Sequence, residues 1–109
     1  MLKIRPEQLA AMVDHKRHEL ASVLLSRLRA SRPELIASVE PERAKALVRE
    51  AIERARRFGF TNRPVIERYV ALFLAHGAGF DEPRHVQRAL LDATAGEEER
   101  IGNAEELFR

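Results

Sequence analysis

The apolar residues between Ala44 and Phe58 recur at intervals of three and four without exception, and this segment constrains the fold most. The spacing is that of one face of an α-helix, since the apolar residues of a half-buried strand would alternate. Gly59 follows directly, and glycine there favours the left-handed conformation that ends many helices. The pattern therefore predicts a long helix that Pro41 begins and Gly59 ends, with Phe60 packed against its last turn. The apolar stripe consists of Ala44, Leu47, Val48, Ala51, Ile52, Ala55 and Phe58.

Helical spacing continues in the rest of the chain, and no stretch alternates as a strand does. Cysteine is absent, which excludes disulfides and thiolate metal sites, and 109 residues suit a single domain. The predicted fold is all-α: a compact bundle of four main helices with a short connecting helical turn and a marginal C-terminal helix. The expected segments are a helix from Pro6 to about Ala30, a turn over 34–39, helices over 41–58 and 63–76, a helix that Asp81 or Glu82 begins with Pro83, and a tail over 97–109 that frays or depends on a neighbour.

The helix predicted over 63–76, with Thr61 or Asn62 as its cap, has a wide apolar face. Ile66, Val70 and Leu74 extend this face to roughly half the circumference, whereas a surface helix needs a stripe of about 100°. Such a helix lies either at the centre of a bundle or against another molecule. The sequence leaves both alternatives open.

No pattern in the sequence predicts catalysis, a cofactor or a metal ion. His15 and His18 are one helical turn apart, but no third ligand accompanies them, so we interpret them as surface residues. Gly77 and Gly79 have neither a preceding strand nor a following Lys-Ser/Thr, so they do not form a phosphate loop. Acidic residues stand on charged faces or at caps, without the apolar surroundings that a general acid needs. We therefore expect a protein that is not an enzyme.

The charge balance makes nucleic-acid binding an unfavoured interpretation. Nineteen basic residues face seventeen acidic ones, for a net charge of +2. Glu50–Arg54 and Glu53–Arg57 have the i,i+4 order in which opposite charges pair along a helix, whereas nucleic-acid-binding proteins cluster their cations on one face. The helix-turn-helix arrangement of residues 51–73 keeps a DNA-binding regulator as the alternative function. The chain has no signal peptide pattern and no apolar run long enough for a bilayer, so we expect a cytoplasmic protein without membrane association.

Residues 51–61, with the sequence Ala-Ile-Glu-Arg-Ala-Arg-Arg-Phe-Gly-Phe-Thr, resemble a group of small bacterial helical proteins, as do Tyr69, Leu72 and the run Gly79-Phe80-Asp81. Members of that group begin with an Ile-Arg-x-Glu-Gln-like start, which is similar to residues 4–8 here. They are often encoded beside type VI secretion spike or effector genes. The resemblance implies an accessory role, as an effector chaperone, co-chaperone or adaptor, and it implies no catalytic residue.

These observations together predict a non-catalytic protein-binding module that holds or delivers a secreted effector or a spike component. The expected mechanism is burial of an apolar partner segment against an exposed part of the wide face over 63–76, with arginines as a polar rim. A homodimer would cover the same face and is compatible with the pattern. For each of these residues, simple core packing is the competing interpretation. The predicted partner-binding residues are Arg63, Ile66, Arg68, Val70 and Leu74.

Overall fold

The computed structural model describes residues 20–109, which are all-α and include no strand. The all-α class is therefore confirmed for this part of the chain. The number of helices differs from the prediction, because the expected marginal tail is a ten-residue helix with buried side chains of its own. The elements are α1 (residues 20–31), a 3-10 helix (Pro33–Leu35), α2 (Pro41–Arg57), α3 (Arg63–His76), α4 (Arg84–Leu90) and α5 (Glu97–Glu106).

Helix α1 ends where the sequence predicted. The amide of Arg32 donates a hydrogen bond to the carbonyl of Leu28 at 2.7 Å. The 3-10 helix that follows, Pro33–Leu35, begins earlier and is shorter than the helical turn predicted over 34–39. Two other expectations, the helix start at Pro6 and the surface pair of His15 and His18, lie outside the described residues. Within residues 20–109, no helix combines the length and the apolar character needed to cross a membrane.

Helix α2 buries five of the seven residues of the predicted apolar stripe, and it ends in a Schellman motif. The φ angle of Gly59 is +85°. Its amide donates to the carbonyl of Arg56 at 2.9 Å, and the amide of Phe60 donates to that of Ala55 at 3.1 Å. Phe60 is fully buried and supplies the hydrophobic contact that accompanies this motif. The predicted end of α2 is confirmed, and its buried residues are Ala44, Val48, Ala51, Ile52 and Ala55.

Helix α3 lies between several other elements. It contacts α2, α5 and the 3-10 helix, and its Glu67 accepts a hydrogen bond from Arg27 of α1, with 3.0 Å between Nε and Oε2. Each neighbour covers a different part of the circumference, and this is why the apolar face of α3 is so wide. The buried residues of α3 are Val65, Ile66, Tyr69, Val70, Leu72 and Phe73.

The residues just before α3 are held by a side chain of α5. Asn62 occupies the N-cap position, but its side chain makes no capping hydrogen bond. Instead, Oε1 of Glu97 accepts hydrogen bonds from the amides of Thr61 at 2.7 Å and Asn62 at 3.0 Å, and the Thr61 hydroxyl donates to Oε2 at 2.8 Å. These bonds, the one from the Asn62 amide most of all, lower the pKa of Glu97. The predicted side-chain cap is thus not formed, and a carboxylate 35 residues away binds the Asn62 amide that precedes the helix.

Helix α4 begins later than predicted and has seven residues. Pro83 is its N-cap, so neither Asp81 nor Glu82 starts the helix. Val86 and Leu90 are its buried residues. Ala93 is exposed because the helix ends at Leu90, before the chain reaches it.

Candidate functional site

The structure does not bring the five predicted partner-binding residues together on one exposed surface. Ile66 and Val70 are 2% and 0% exposed and belong to the core. Leu74 is partly buried and packs against that core. Arg63 is exposed at the first residue of α3, whereas Arg68 is half-buried and paired.

The expectation that Ile66 and Val70 form an exposed apolar patch is corrected by this burial. Both side chains point from α3 toward elements of the same chain, so the competing interpretation, core packing, describes them. Arg68 does not frame a patch either. Its Nε donates to Oε2 of Glu105 at 3.2 Å and its Nη2 donates to Oε1, which links α3 to α5. The hydrogen bond to Glu105 is the main reason that the pKa of Arg68 is raised.

Asp81 is the one buried charged residue within residues 20–109, with 1% of its surface exposed. Its Oδ2 accepts hydrogen bonds from Nε of Arg54 at 3.0 Å and from the hydroxyl of Tyr69, and its Oδ1 accepts one from Nη2 of Arg54. The helical pair expected between Glu50 and Arg54 is therefore replaced by a contact with a residue 27 positions away. The sequence did not indicate a buried role for Asp81, because an acidic residue shortly before a proline is typical of a helix start.

The network around Asp81 is suited to holding elements together and poorly suited to proton transfer. Burial is the main cause that raises the pKa of Tyr69, and the hydrogen bond to Asp81 is the main cause that raises the pKa of Arg54. Both donors therefore stay protonated at neutral pH, and both carboxylate oxygens of Asp81 are occupied. The ring of Tyr69 packs against three others, with centroid distances of 6.1, 6.2 and 5.0 Å to Phe58, Phe60 and Phe80.

Arg100 also directs its side chain into the fold. Its Nη1 donates to the carbonyl of Phe58 at 3.0 Å and to that of Leu90 at 2.9 Å. Its guanidinium carbon lies 4.7 Å from the centroid of the Phe60 ring, within cation–π range. This arginine therefore ties α5 to the last turns of α2 and α4.

The outward side of α4 carries the surface feature that we regard as the candidate site. The side chains that form it recur at three and four along α4 and its C-cap, on the side opposite to the buried Val86 and Leu90. They surround a shallow depression of about 640 Å³. We call this surface the α4 outer face; it is lined by Arg84, Gln87, Arg88, Leu91 and Asp92.

Leu91 is the apolar centre of the α4 outer face. It is 54% exposed, and the other exposed large apolar side chain within residues 20–109, Leu107, is 45% exposed. The backbone of Leu91 is held in place, because its amide donates to the carbonyl of Gln87 at 2.9 Å. An apolar side chain is thus presented to solvent from an ordered helix end.

The charges of the α4 outer face are arranged along the helix. Arg84 and Arg88 form no ion pair with any residue in the described part of the chain. Asp92 lies at the opposite end, where its Oδ1 accepts hydrogen bonds from the Thr94 hydroxyl at 2.6 Å and from the Thr94 amide at 2.9 Å. These two bonds lower the pKa of Asp92, so it is charged at neutral pH. The face therefore has a basic end and an acidic end, with Leu91 next to the acidic one.

The helical phase of Leu91 in the sequence distinguishes it from the buried Leu90. Successive helical residues are separated by about 100°, so a narrow helix face that buries Leu90 does not also bury its neighbour. Leu91 is instead in phase with Arg84 and Arg88, seven and three residues earlier. Because Leu91 shares a helix face with charged residues, the sequence pattern indicates that its side chain is exposed.

Comparison with protein-family models, with curated proteins and with solved structures finds no match for this chain. Residues 20–109 also contain no group of three or more His, Cys, Asp or Glu side chains arranged to hold a metal ion. The α4 outer face is therefore interpreted from its own geometry and charge.

Proposed function

We propose that this protein is a non-catalytic protein-binding module, an adaptor or chaperone that holds a secreted effector or spike component of a bacterial secretion system in the cytoplasm before export. The exposure of Leu91 between ordered polar neighbours carries the binding part of this proposal. The secretion part rests on the resemblance of residues 51–61 and 79–81 to small accessory proteins.

The physical case for binding is that the α4 outer face combines an apolar anchor with free cations. Single exposed leucines are common on protein surfaces and are not sites by themselves. Here the leucine lies on the same helix face as Arg84 and Arg88, and arginine is enriched in protein interfaces. Burying one leucine side chain contributes about 1.5–3 kcal/mol. Since α4 is anchored through Val86 and Leu90, binding would order few additional side chains.

The polar interior supports binding over catalysis. The carboxylate of Asp81 has both oxygens engaged by Arg54 and Tyr69. Nη1 of Arg100 donates hydrogen bonds to two backbone carbonyls. These side chains hold helices together, and an acid or base would need a free proton-accepting or proton-donating atom that faces a substrate.

The DNA-binding alternative has less support. In that interpretation α3 would enter the major groove, which requires an outward polar face. Helix α3 instead buries six side chains, and two of its charged residues, Glu67 and Arg68, are paired to α1 and α5. To reach DNA, α3 would have to leave the core.

A pull-down of the tagged protein from its native host at low and moderate salt tests the proposal. The wild type is expected to recover a secretion-system effector or spike component in stoichiometric amount, identified by mass spectrometry. Leu91→Asp should lose this component. Leu107→Asp, on the other exposed leucine, is the matched control and should keep it. Recovery of DNA-associated material alone, removed by salt, would contradict the proposal and favour the regulator.

A further inference from the structure

We propose that the α4 outer face binds an amphipathic helix of the partner that carries two acidic residues one turn apart, followed by an apolar residue. This inference rests on the proposed function, because it names the partner segment that the same site takes.

The two arginines set the spacing of the acidic residues. Arg84 and Arg88 are four residues apart on one helix, so their Cβ atoms are about 6 Å apart and both are exposed. Two carboxylates at i and i+4 of a partner helix have the same separation. Each guanidinium can then meet one carboxylate through two parallel hydrogen bonds, the geometry in which arginine binds carboxylates best.

Leu91 sets the place of the apolar residue. It follows Arg88 by three positions, so it lies about one turn further toward the end of α4, on the i,i+3 row of side chains that starts at Arg88, beside the i,i+4 row from Arg84 through Arg88 to Asp92. Ridges of this kind pack into the grooves of a second helix. The partner helix therefore needs an apolar side chain about one turn beyond its acidic pair, where it would cover the exposed side of Leu91.

Asp92 selects a protein helix over a nucleic acid. Its charged carboxylate stands beside Leu91, held by Thr94, and would repel a phosphate backbone that continued along the face. The apolar side chain of Leu91 would also find no apolar contact on a phosphate backbone. A helix that is acidic at one end and apolar at the other satisfies the arginines and the leucine, and it avoids Asp92.

The test is a fluorescence anisotropy titration of the full chain with labelled helical probe peptides. One probe carries Glu-x-x-x-Glu followed by Leu three residues later, and the matched probe has Lys in place of both Glu. The wild type should bind the Glu probe at least about tenfold more tightly than the Lys probe, and more weakly at about 300 mM than at about 50 mM salt.

Variants assign the binding to the face. The double variant Arg84→Glu/Arg88→Glu should reverse the preference and bind the Lys probe, and Leu91→Ser should weaken binding of both probes. The control Arg43→Glu/Arg56→Glu changes two exposed arginines of α2 by the same charge and should keep the wild-type preference. Unchanged far-UV circular dichroism confirms that each variant is folded.

Several outcomes would overturn the inference. Equal affinity for the Glu and Lys probes, or loss of the preference in the α2 control as well, would show that the two arginines do not select the ligand. A dimer in sedimentation velocity that Leu91→Asp dissociates would assign the face to a second copy of this chain. Duplex DNA binding that Arg84→Glu/Arg88→Glu abolishes would assign it to nucleic acid.

The two proposals fail in distinguishable ways. If the Glu probe shows no preference while Leu91→Asp still loses the effector in the pull-down, the acidic-helix inference is wrong and the proposed function stands. If Leu91→Asp keeps the effector, the α4 outer face is not the binding surface, and both the site and the inference are overturned.

Discussion

Helices α3 and α4 use their apolar residues in opposite ways. Helix α3 has the wider apolar face in sequence, yet α2, α5 and the 3-10 helix cover it. Helix α4 has a narrow buried stripe, and one leucine out of phase with that stripe stays exposed. The width of an apolar face thus reflects how many neighbours a helix has inside its own fold. An apolar residue that breaks the phase of its helix indicates an exposed side chain, and we propose that Leu91 contacts a partner.

The charged residues of the two helices show the same contrast. On α3, Glu67 is paired with Arg27 and Arg68 with Glu105, so both charges join helices of this chain. On α4, Arg84 and Arg88 have no such partner among residues 20–109. The helix that looks more like an interface in sequence is therefore the more completely committed to the fold.

The largest expected effect comes from placing the same charge on the two helices. Val70→Asp should unfold the protein, with a loss of about 4 kcal/mol or more, because a carboxylate would be buried in the core. Leu91→Asp should change the free energy of unfolding by less than about 0.5 kcal/mol. Urea denaturation followed by circular dichroism measures both. A folded Val70→Asp variant would restore the earlier expectation that this residue faces a partner, and would break the comparison.

The second largest effect concerns Asp81, which precedes α4 in the chain and binds Arg54 of α2 and Tyr69 of α3. Asp81→Ala should lower stability by about 3 kcal/mol, because it leaves Arg54 without its buried partner. Tyr69→Phe removes one donor and keeps the ring packing, so it should cost about 1 kcal/mol. Thermal or urea unfolding of both variants provides the measurement. Equal losses would show that the ion pair between Arg54 and Asp81 adds no stability beyond the hydrogen bond from the Tyr69 hydroxyl.

The third effect concerns the turn that leads into α3. Gly59→Ala should cost about 1 kcal/mol, because the φ angle of +85° disfavours any residue with a Cβ atom. Gly102→Ala is the control, since Gly102 lies inside α5 without a positive φ angle and a Cβ atom there would meet only Nη2 of Arg68, at 3.6 Å. Its cost in stability should be smaller. Similar chemical denaturation midpoints for the two variants would contradict a role of the left-handed turn in setting α3 against α2.

The smallest effect is a pH dependence at the start of α3. The lowered pKa of Glu97 means that its contribution to stability is fully present above its ordinary pKa of 4.5 and is lost as the pH falls through the lower folded value. Glu97→Gln should reduce stability at neutral pH by about 0.5–1 kcal/mol and flatten the acid limb of the stability curve.

The control for this pH effect is Glu99→Gln, an exposed residue in the same turn of α5. It should keep the wild-type acid limb in urea titrations across acidic pH. If both variants flattened the acid limb equally, the hydrogen bonds from Thr61 and Asn62 to Glu97 would not cause the pH dependence.

Local sequence patterns predicted a structural feature correctly where the residues that cause it are neighbours along the chain. The stripe of α2, its end at Gly59 and the end of α3 before Gly77 depend on residues that are neighbours along the helix, so spacing and a glycine predicted them. The all-α class follows from the same periodicity. The partner, the secretion role and self-association stay predictions.

Tertiary structure decided what depends on distant residues. Whether Ile66 and Val70 face the core or a partner was set by the packing of α2 and α5 around α3. The hydrogen bonds from Arg54 to Asp81 and from the Asn62 amide to Glu97 join residues 27 and 35 positions apart. Burial and long-range hydrogen bonds arise only once helices meet, because a helix in isolation exposes every side chain to water.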